Sequence, residues 1–313
     1  MKTNETPKLR LDRLPRMPRT ISVASGIVLT DNLDQPMPAG IEEALAAHRP
    51  TREMSPANLT FPFRVLFNTI IFVTGGEVCC RINLREIRIP PDSLFLAPAG
   101  IIIDAIRFPV GTRSLILAYT DESPLGTLRT PSARMIRNAT LQPLVIPFRR
   151  DRMERYLQTF RLILHVIETP DNPFKQEIIE GFTEVISGSI AKVLLEQQAQ
   201  RQERDWNDTL LHAFQTLVLQ HCRSHRDLSF YADKLCMSPT YLSRQIAETA
   251  GRNASAIIRD HVILEAKVLL RAGEYNVQQV SNLLDFPNAS FFGRYFKDAT
   301  GMTPRQYRLR GGD

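Results

Sequence analysis

The sequence predicts an α+β chain. A small N-terminal β-barrel of cupin or jelly-roll type, with helices, precedes an all-α domain of two helix-turn-helix units joined by a long helix. Three observations carry this reading. Short β-rich runs recur about every ten residues from Phe61, the texture of a small barrel or sandwich. After Pro147 the apolar residues recur at helical spacing instead. From Leu228 to Tyr307 one short pattern occurs twice.

The first twenty residues are basic (Lys2, Lys8, Arg10, Arg13, Arg16, Arg19) and lack the apolar core of a signal peptide. They are expected to be a disordered, solvated lead. The barrel domain is placed at 21–147. Ile41 to His48 suits one short helix ended by Pro50. Phe63–Val73 is long and apolar and turns at Gly75-Gly76. Glu77–Ile82 and Arg85–Ile89 form the arms of a hairpin across Asn83-Leu84, and further strands follow at Ser93–Ala97, Ile101–Phe108 and Arg113–Tyr119.

Barrels of this kind can carry metal on histidines, but none lies between His48 and His165. Residues 61–120 hold four acids, Glu77, Glu86, Asp92 and Asp104. No catalytic residues, metal site or cofactor are assigned, and the chain is not read as an enzyme. Arg64, Arg81, Arg88 and Arg107 are the candidates for holding an anionic small-molecule effector in the barrel mouth. Four cysteines without C-x-x-C spacing favour reduced structural thiols.

Residues 148–204 are assigned to a helical pairing and linker region. Met153, Tyr156, Leu157, Phe160, Leu164 and Ile167 mark one helix, broken at Thr169-Pro170-Asp171. Phe174, Ile178, Phe182, Ile186, Ile190 and Val193 mark the next. Glu196–Asp205 has almost no apolar face and suits an interdomain linker. No run approaches 18 uninterrupted apolar residues, so no membrane span is expected and the chain is placed in the cytoplasm.

The last domain, 205–313, opens with a helix from Trp206 to Cys222. In the first copy of the repeat, Ala232 and Leu235 precede a break at Met237-Ser238-Pro239 and then Leu242-Ser243-Arg244-Gln245-Ile246. In the second, Ser281 and Leu284 precede Phe286-Pro287-Asn288 and then Phe292-Gly293-Arg294-Tyr295-Phe296. A small residue where helices cross, a turn, and apolar residues at i and i+4 describe a helix-turn-helix. Arg244 and Arg294 each follow the first apolar anchor by two residues, about 200° round the helix and away from the core. Between the copies, Ala254–Ala272 is one amphipathic helix ended by Gly273, a rod of roughly 28 Å. Such a rod suits two readers about one DNA turn (~34 Å) apart. The charge agrees: of a net +6, residues from Cys222 onward carry 13 lysines and arginines against 9 acids.

Ser238-Pro239-x-Tyr241-Leu242-x-Arg244, Ala266-Lys267-x-Leu269-Leu270, Ser290 through Lys297, and Gly301-x-Thr303-Pro304-x-x-Tyr307-Arg308 resemble the arabinose-regulator family of bacterial transcription factors. The resemblance covers about the last 105 residues. It implies base contacts at Thr240, Ser243 and Arg244 in unit one and at Ser290 and Arg294 in unit two, where Ala289 and Gly293 occupy further contact positions with little to offer. Tyr241, Tyr295, Lys297 and Arg308 are assigned to the DNA backbone. Asp285 stands where the family has glycine, and Ser281 where it often has alanine. The resemblance further implies an activator of promoter DNA that contacts RNA polymerase, and the amphipathic helices of 148–204 are expected to give a pairing surface for a homodimer. A ligand-independent architectural DNA binder and a barrel enzyme with a DNA-binding tail are the alternatives.

Overall fold

The computed structural model describes residues 8–9, 19–24, 26–31, 33, 62–107, 109, 111–127, 130–139, 142–169, 171–200, 206–271 and 274–309. The helix expected over 41–48, the C-cap at Gly273 and residues 201–205 of the linker lie outside them.

Eleven strands form two sheets among the described residues. They are β1 (Lys8–Leu9), β2 (Arg19–Ala24), β3 (Ile27–Asp31), β4 (Phe63–Val65), β5 (Asn68–Gly75), β6 (Val78–Ile82), β7 (Arg85–Ile89), β8 (Ser93–Ala97), β9 (Ile102–Arg107), β10 (Arg113–Tyr119) and β11 (Leu144–Pro147). One sheet runs β1-β4-β9-β6-β7 and the other β11-β8-β5-β10-β3-β2. Neither ladder closes on itself, so the arrangement is two sheets face to face, and closure into a barrel does not follow from the pairing. Within the basic lead, Lys8 and Leu9 pair in parallel with Arg64 and Val65, and Arg19 and Thr20 pair with β3. These residues are strand where a disordered lead was expected. Pairing with an exposed strand edge satisfies backbone groups that charge patterning does not report.

The larger sheet is buried on both faces, which explains its unbroken apolar runs. Along β5, Ile70 and Phe72 face helices while Val73 faces the other sheet; along β8, Leu94 and Leu96 face one way and Phe95 and Ala97 the other. The inner core also holds Phe63, Val65, Val78, Ile82 and Ile89 from the smaller sheet. The β6–β7 hairpin turns through Asn83 (φ 50°) and Leu84 (φ 68°), two left-handed residues as a type I′ turn requires.

Helices α1 (Pro124–Thr127), α2 (Pro131–Ala139), α3 (Arg150–Glu168) and α4 (Lys175–Gln200) cover the outer face of the larger sheet. Phe160 of α3 packs edge-on against Phe72 and Phe182, at 5.3 Å in each case. α4 continues helically through half of the proposed linker. Phe174 is exposed, as are Leu162, Val185 and Leu195.

Seven further helices make the second core: α5 (Trp206–His221), α6 (Leu228–Lys234), α7 (Pro239–Ala250), α8 (Ala254–Arg271), α9 (Val277–Leu283), α10 (Ala289–Thr300) and α11 (Pro304–Leu309). α8 is the axis of this core. Twelve of its eighteen residues are buried, because helices pack round most of it and the sandwich covers Leu264, Glu265 and Val268.

Candidate nucleic-acid interface

The two units are built alike down to single hydrogen bonds. α6 ends with Cys236 at φ 55°, and the Met237 N–H reaches back to the Ala232 carbonyl at 2.9 Å. α9 ends with Asp285 at φ 54°, and the Phe286 N–H reaches the Ser281 carbonyl at 2.9 Å. Both are Schellman-type ends, in which a left-handed residue lets a later N–H satisfy an orphan carbonyl. The second helix of each unit then starts on a side-chain cap. Ser238 Oγ accepts from the Tyr241 N–H at 3.3 Å, with Pro239 at N1. Asn288 Oδ1 accepts from the Ser290 and Phe291 N–H groups, each at 3.0 Å. Each second helix is twelve residues long and ends at a left-handed glycine, Gly251 or Gly301.

Leu242 and Ile246 in α7, and Phe292 and Phe296 in α10, are fully buried. Burying each such side chain is worth on the order of 1.5–3 kcal/mol, and this fixes which face points outward. Thr240 and Arg244 are exposed on that outward face, with Ser243 half-buried beside them; Ser290 and Arg294 are exposed on α10. Gly293 has nothing within 4 Å of where a Cβ would stand. The candidate base-reading side chains of each unit therefore share one solvent-facing stripe.

The backbone candidates divide. Lys297 and Tyr241 are exposed. Tyr295 packs on Phe286 at 5.2 Å, and burial pushes its phenol up to about 12. Arg308 is half-buried and donates to the Tyr275 carbonyl at 3.3 Å. Both thus already serve the fold of unit two.

Arg226, between α5 and α6, was not singled out in the sequence. Its two Nη atoms donate to the Leu284 and Asp285 carbonyls, and its guanidinium lies 4.1 Å from the centre of the Phe286 ring. It ties unit one to the turn of unit two. Phe291 departs from the core role that its aromatic neighbours share: it is exposed, and Arg294 lies over its ring. Its signal was its place in the repeat, opposite Tyr241.

The four sandwich arginines are not gathered. Arg64 Nη2 binds both oxygens of Glu265 in α8 at 2.6 Å. Arg81 pairs with Asp104 at 2.7 Å on the smaller sheet, and Arg88 is exposed. Arg107 closes β9, and its side chain lies outside the described residues. A cleft of about 380 Å³ instead lies between the domains, lined by Leu84, Arg85 and Gln142 on one side and Gln215, Ala250, Ile257 and His261 on the other. Burial lowers the His261 pKa, which favours the neutral imidazole. Among the described residues no cluster of His, Cys, Asp or Glu could hold a metal ion, and no helix is long and apolar enough to cross a membrane.

Residues 231–310 match a family described as a helix-turn-helix domain. The arabinose operon regulatory protein of Salmonella typhimurium is 27% identical over 156 residues, covering 44% of this chain and 56% of that protein. The HTH-type transcriptional activator RhaR of Yersinia pseudotuberculosis is 26% identical over 103 residues, 33% of this chain and 34% of its own. The chain thus spans about half the length of the first of these relatives and a third of the second. Among solved structures, the C-terminal domain of AraT, a response regulator from Geobacillus stearothermophilus, aligns with 32% of this chain and 84% of its own. The sequence identity there is 25% and the TM-score 0.31.

Proposed function

We propose that this chain, a DNA-binding transcriptional regulator of the arabinose-regulator family by its C-terminal unit, is a ligand-responsive activator. One observation carries the DNA-reading half. Two recognition helices of equal length and equal capping present Thr240, Ser243 and Arg244, and then Ser290 and Arg294, opposite their buried anchors. Arginine suits guanine O6 and N7 in bidentate fashion, worth ~1–3 kcal/mol of discrimination. Lys297, Tyr241, Tyr295 and Arg308 would add sequence-blind phosphate contacts. Unit two, with Ala289 and Gly293 on its stripe, reads through Arg294 and Ser290 and otherwise clamps the backbone.

The domain division at 147 and 204, with β1 and β2 of the basic lead joined to the sandwich, would make the sandwich a cupin-like sensor and 205–313 the reader. A small-molecule effector among Arg64, Arg81, Arg88 and Arg107 would have to displace Glu265 or Asp104 from the first two. The interdomain cleft supports a site of action equally well, since a molecule there touches the β6–β7 hairpin and the ends of α7 and α8 together. Either site lets a ligand favour one arrangement of sensor and reader over another. Exposed Val185 and Leu195 on α4 support homodimer pairing, and RNA polymerase is the partner that an activator needs. The chain is read as cytoplasmic, non-enzymatic and cofactor-free.

The test is selection from a random duplex pool with the full chain, beside Arg244→Ala and Arg294→Ala. The expected result is a motif of two short elements about ten base pairs apart, each blurred by one substitution. Comparable binding to unrelated duplexes at moderate salt, with no enriched motif, would overturn this reading in favour of an architectural binder.

A further inference from the structure

We infer that Tyr241 and Phe291 are positioning residues: aromatic platforms that hold the guanidinium groups of Arg244 and Arg294 in the pose that meets a base edge. The inference rests on the DNA-reading role proposed above and names how its two arginines are prepared for it. Both rings are large apolar groups that the core does not use. Tyr241 is 39% exposed and Phe291 52%, while the anchors beside them, Leu242 and Phe292, are fully buried. An exposed aromatic of this size at the same place in both units calls for a role outside the core.

The geometry supplies one. An arginine three residues later lies on the same side of a helix. Arg244 Cζ is 5.5 Å from the centre of the Tyr241 ring, and Arg294 Cζ is 4.7 Å from that of Phe291. Both are within the ~6 Å at which a ring face attracts a guanidinium. A ring that takes the flat face of a guanidinium leaves its N–H edge free, and that edge is the one suited to the bidentate contact to guanine. The platform is itself fixed. In each unit the helix cap accepts a hydrogen bond from the backbone N–H of the aromatic residue, Ser238 with Tyr241 and Asn288 with Phe291. Cap, ring and arginine thus form one chain of restraint, repeated in two units that share little sequence.

The units differ in one respect that sharpens the test. Arg244 Nε also lies 3.9 Å from Glu248 Oε1, one turn on. Among the described residues no ion pair forms at Arg294. Its pose therefore depends on Phe291 more than that of Arg244 depends on Tyr241.

The experiment uses the full chain labelled with ¹⁵N arginine. The side-chain Nε–Hε resonance and heteronuclear NOE of Arg294 are followed in the free protein for wild type, Phe291→Leu and Phe291→Tyr, with thermal melts as a check on folding. The same variants are then bound to the duplex that the wild type selects, and to that duplex with the Arg294 base pair changed. Phe291→Leu is expected to lower the Arg294 NOE and to cut the affinity ratio of the two duplexes about two- to five-fold, the range of an exposed cation–π contact. Phe291→Tyr keeps both, Tyr241→Leu has the smaller effect in unit one, and in an Arg294→Ala background Phe291→Leu costs nothing more. An unchanged NOE in Phe291→Leu overturns the platform. So does an undiminished loss in the Arg294→Ala background, which would mean that the ring touches DNA directly. If wild type selects no duplex, the DNA-reading role falls and takes the purpose of the platform with it, while the NOE still decides whether the ring holds the arginine.

Discussion

Ser281 is fully buried in unit two, and its hydroxyl has no hydrogen-bond partner among the described residues. The equivalent place in unit one is filled by Ala232, equally buried. A buried hydroxyl without a partner costs about 1–3 kcal/mol, so Ser281→Ala should raise stability by about that amount. Urea unfolding checks it, through a higher midpoint at unchanged slope; a fall would mean that the hydroxyl is bonded in solution. Gly293 poses the opposite problem. It sits inside α10 with open space where a Cβ would stand, so Gly293→Ala should stabilise the helix by about 0.5–1 kcal/mol. If duplex DNA lies against this face, the same methyl should weaken DNA binding several-fold. Higher melting with lower affinity is the expected pair of results, and higher melting with unchanged affinity would place the DNA elsewhere.

At the scale of elements, what was legible in the sequence is what local chemistry decides. Ser238-Pro239 announced the start of α7 because a cap and an N1 proline act within one turn. The β6–β7 hairpin was legible because Asn83-Leu84 separates two alternating runs. The left-handed turn at Asp285 followed from the resemblance, which puts Asp285 where the family has glycine, and its φ of 54° agrees. Valine there would meet a Cβ clash of roughly 1–2 kcal/mol, so Asp285→Val should melt earlier while Asp285→Gly melts no earlier than wild type. Equal melting of the two would show that the turn relaxes. Pro131–Ala139 and Leu144–Pro147 were not anticipated. Each is short, and α2 owes its helix to burying Ala133 and Ile136 against other elements rather than to a long apolar repeat. The exposure of Phe291 was not legible, because apolar identity says nothing about which way a residue faces once its neighbours have filled the interior.

At the scale of the whole molecule, the joint between the sandwich and the helical domain was invisible, since its partners stand 201 residues apart. Glu265, 6% exposed, lies in the rod between the two units. It accepts from Arg64 of β4 at 2.6 Å and from Arg223, just past α5, at 2.8 Å. Beside it Leu264 and Val268 pack on Ile102 and Leu84 of the sandwich, and Gln142 donates to Thr216 Oγ1 at 2.8 Å. The Glu265 side chain, 8% exposed, therefore bridges one guanidinium from each domain. Removing one partner of such a cluster costs about 3–5 kcal/mol when it is fully buried. Arg223 is half-exposed, so about 2–3 kcal/mol is the better expectation for Glu265→Ala. Arg81→Gln, which breaks the more exposed pair with Asp104, should cost under about 1 kcal/mol and serves as the control. If the joint sets the relation of sensor to reader, Glu265→Ala should enlarge the radius of gyration in small-angle scattering and alter affinity for the selected duplex. Arg81→Gln should do neither. Unchanged scattering in Glu265→Ala would mean that the apolar contact alone holds the domains together. The charge cluster would then contribute to stability without setting how the sandwich is coupled to α7 and α10.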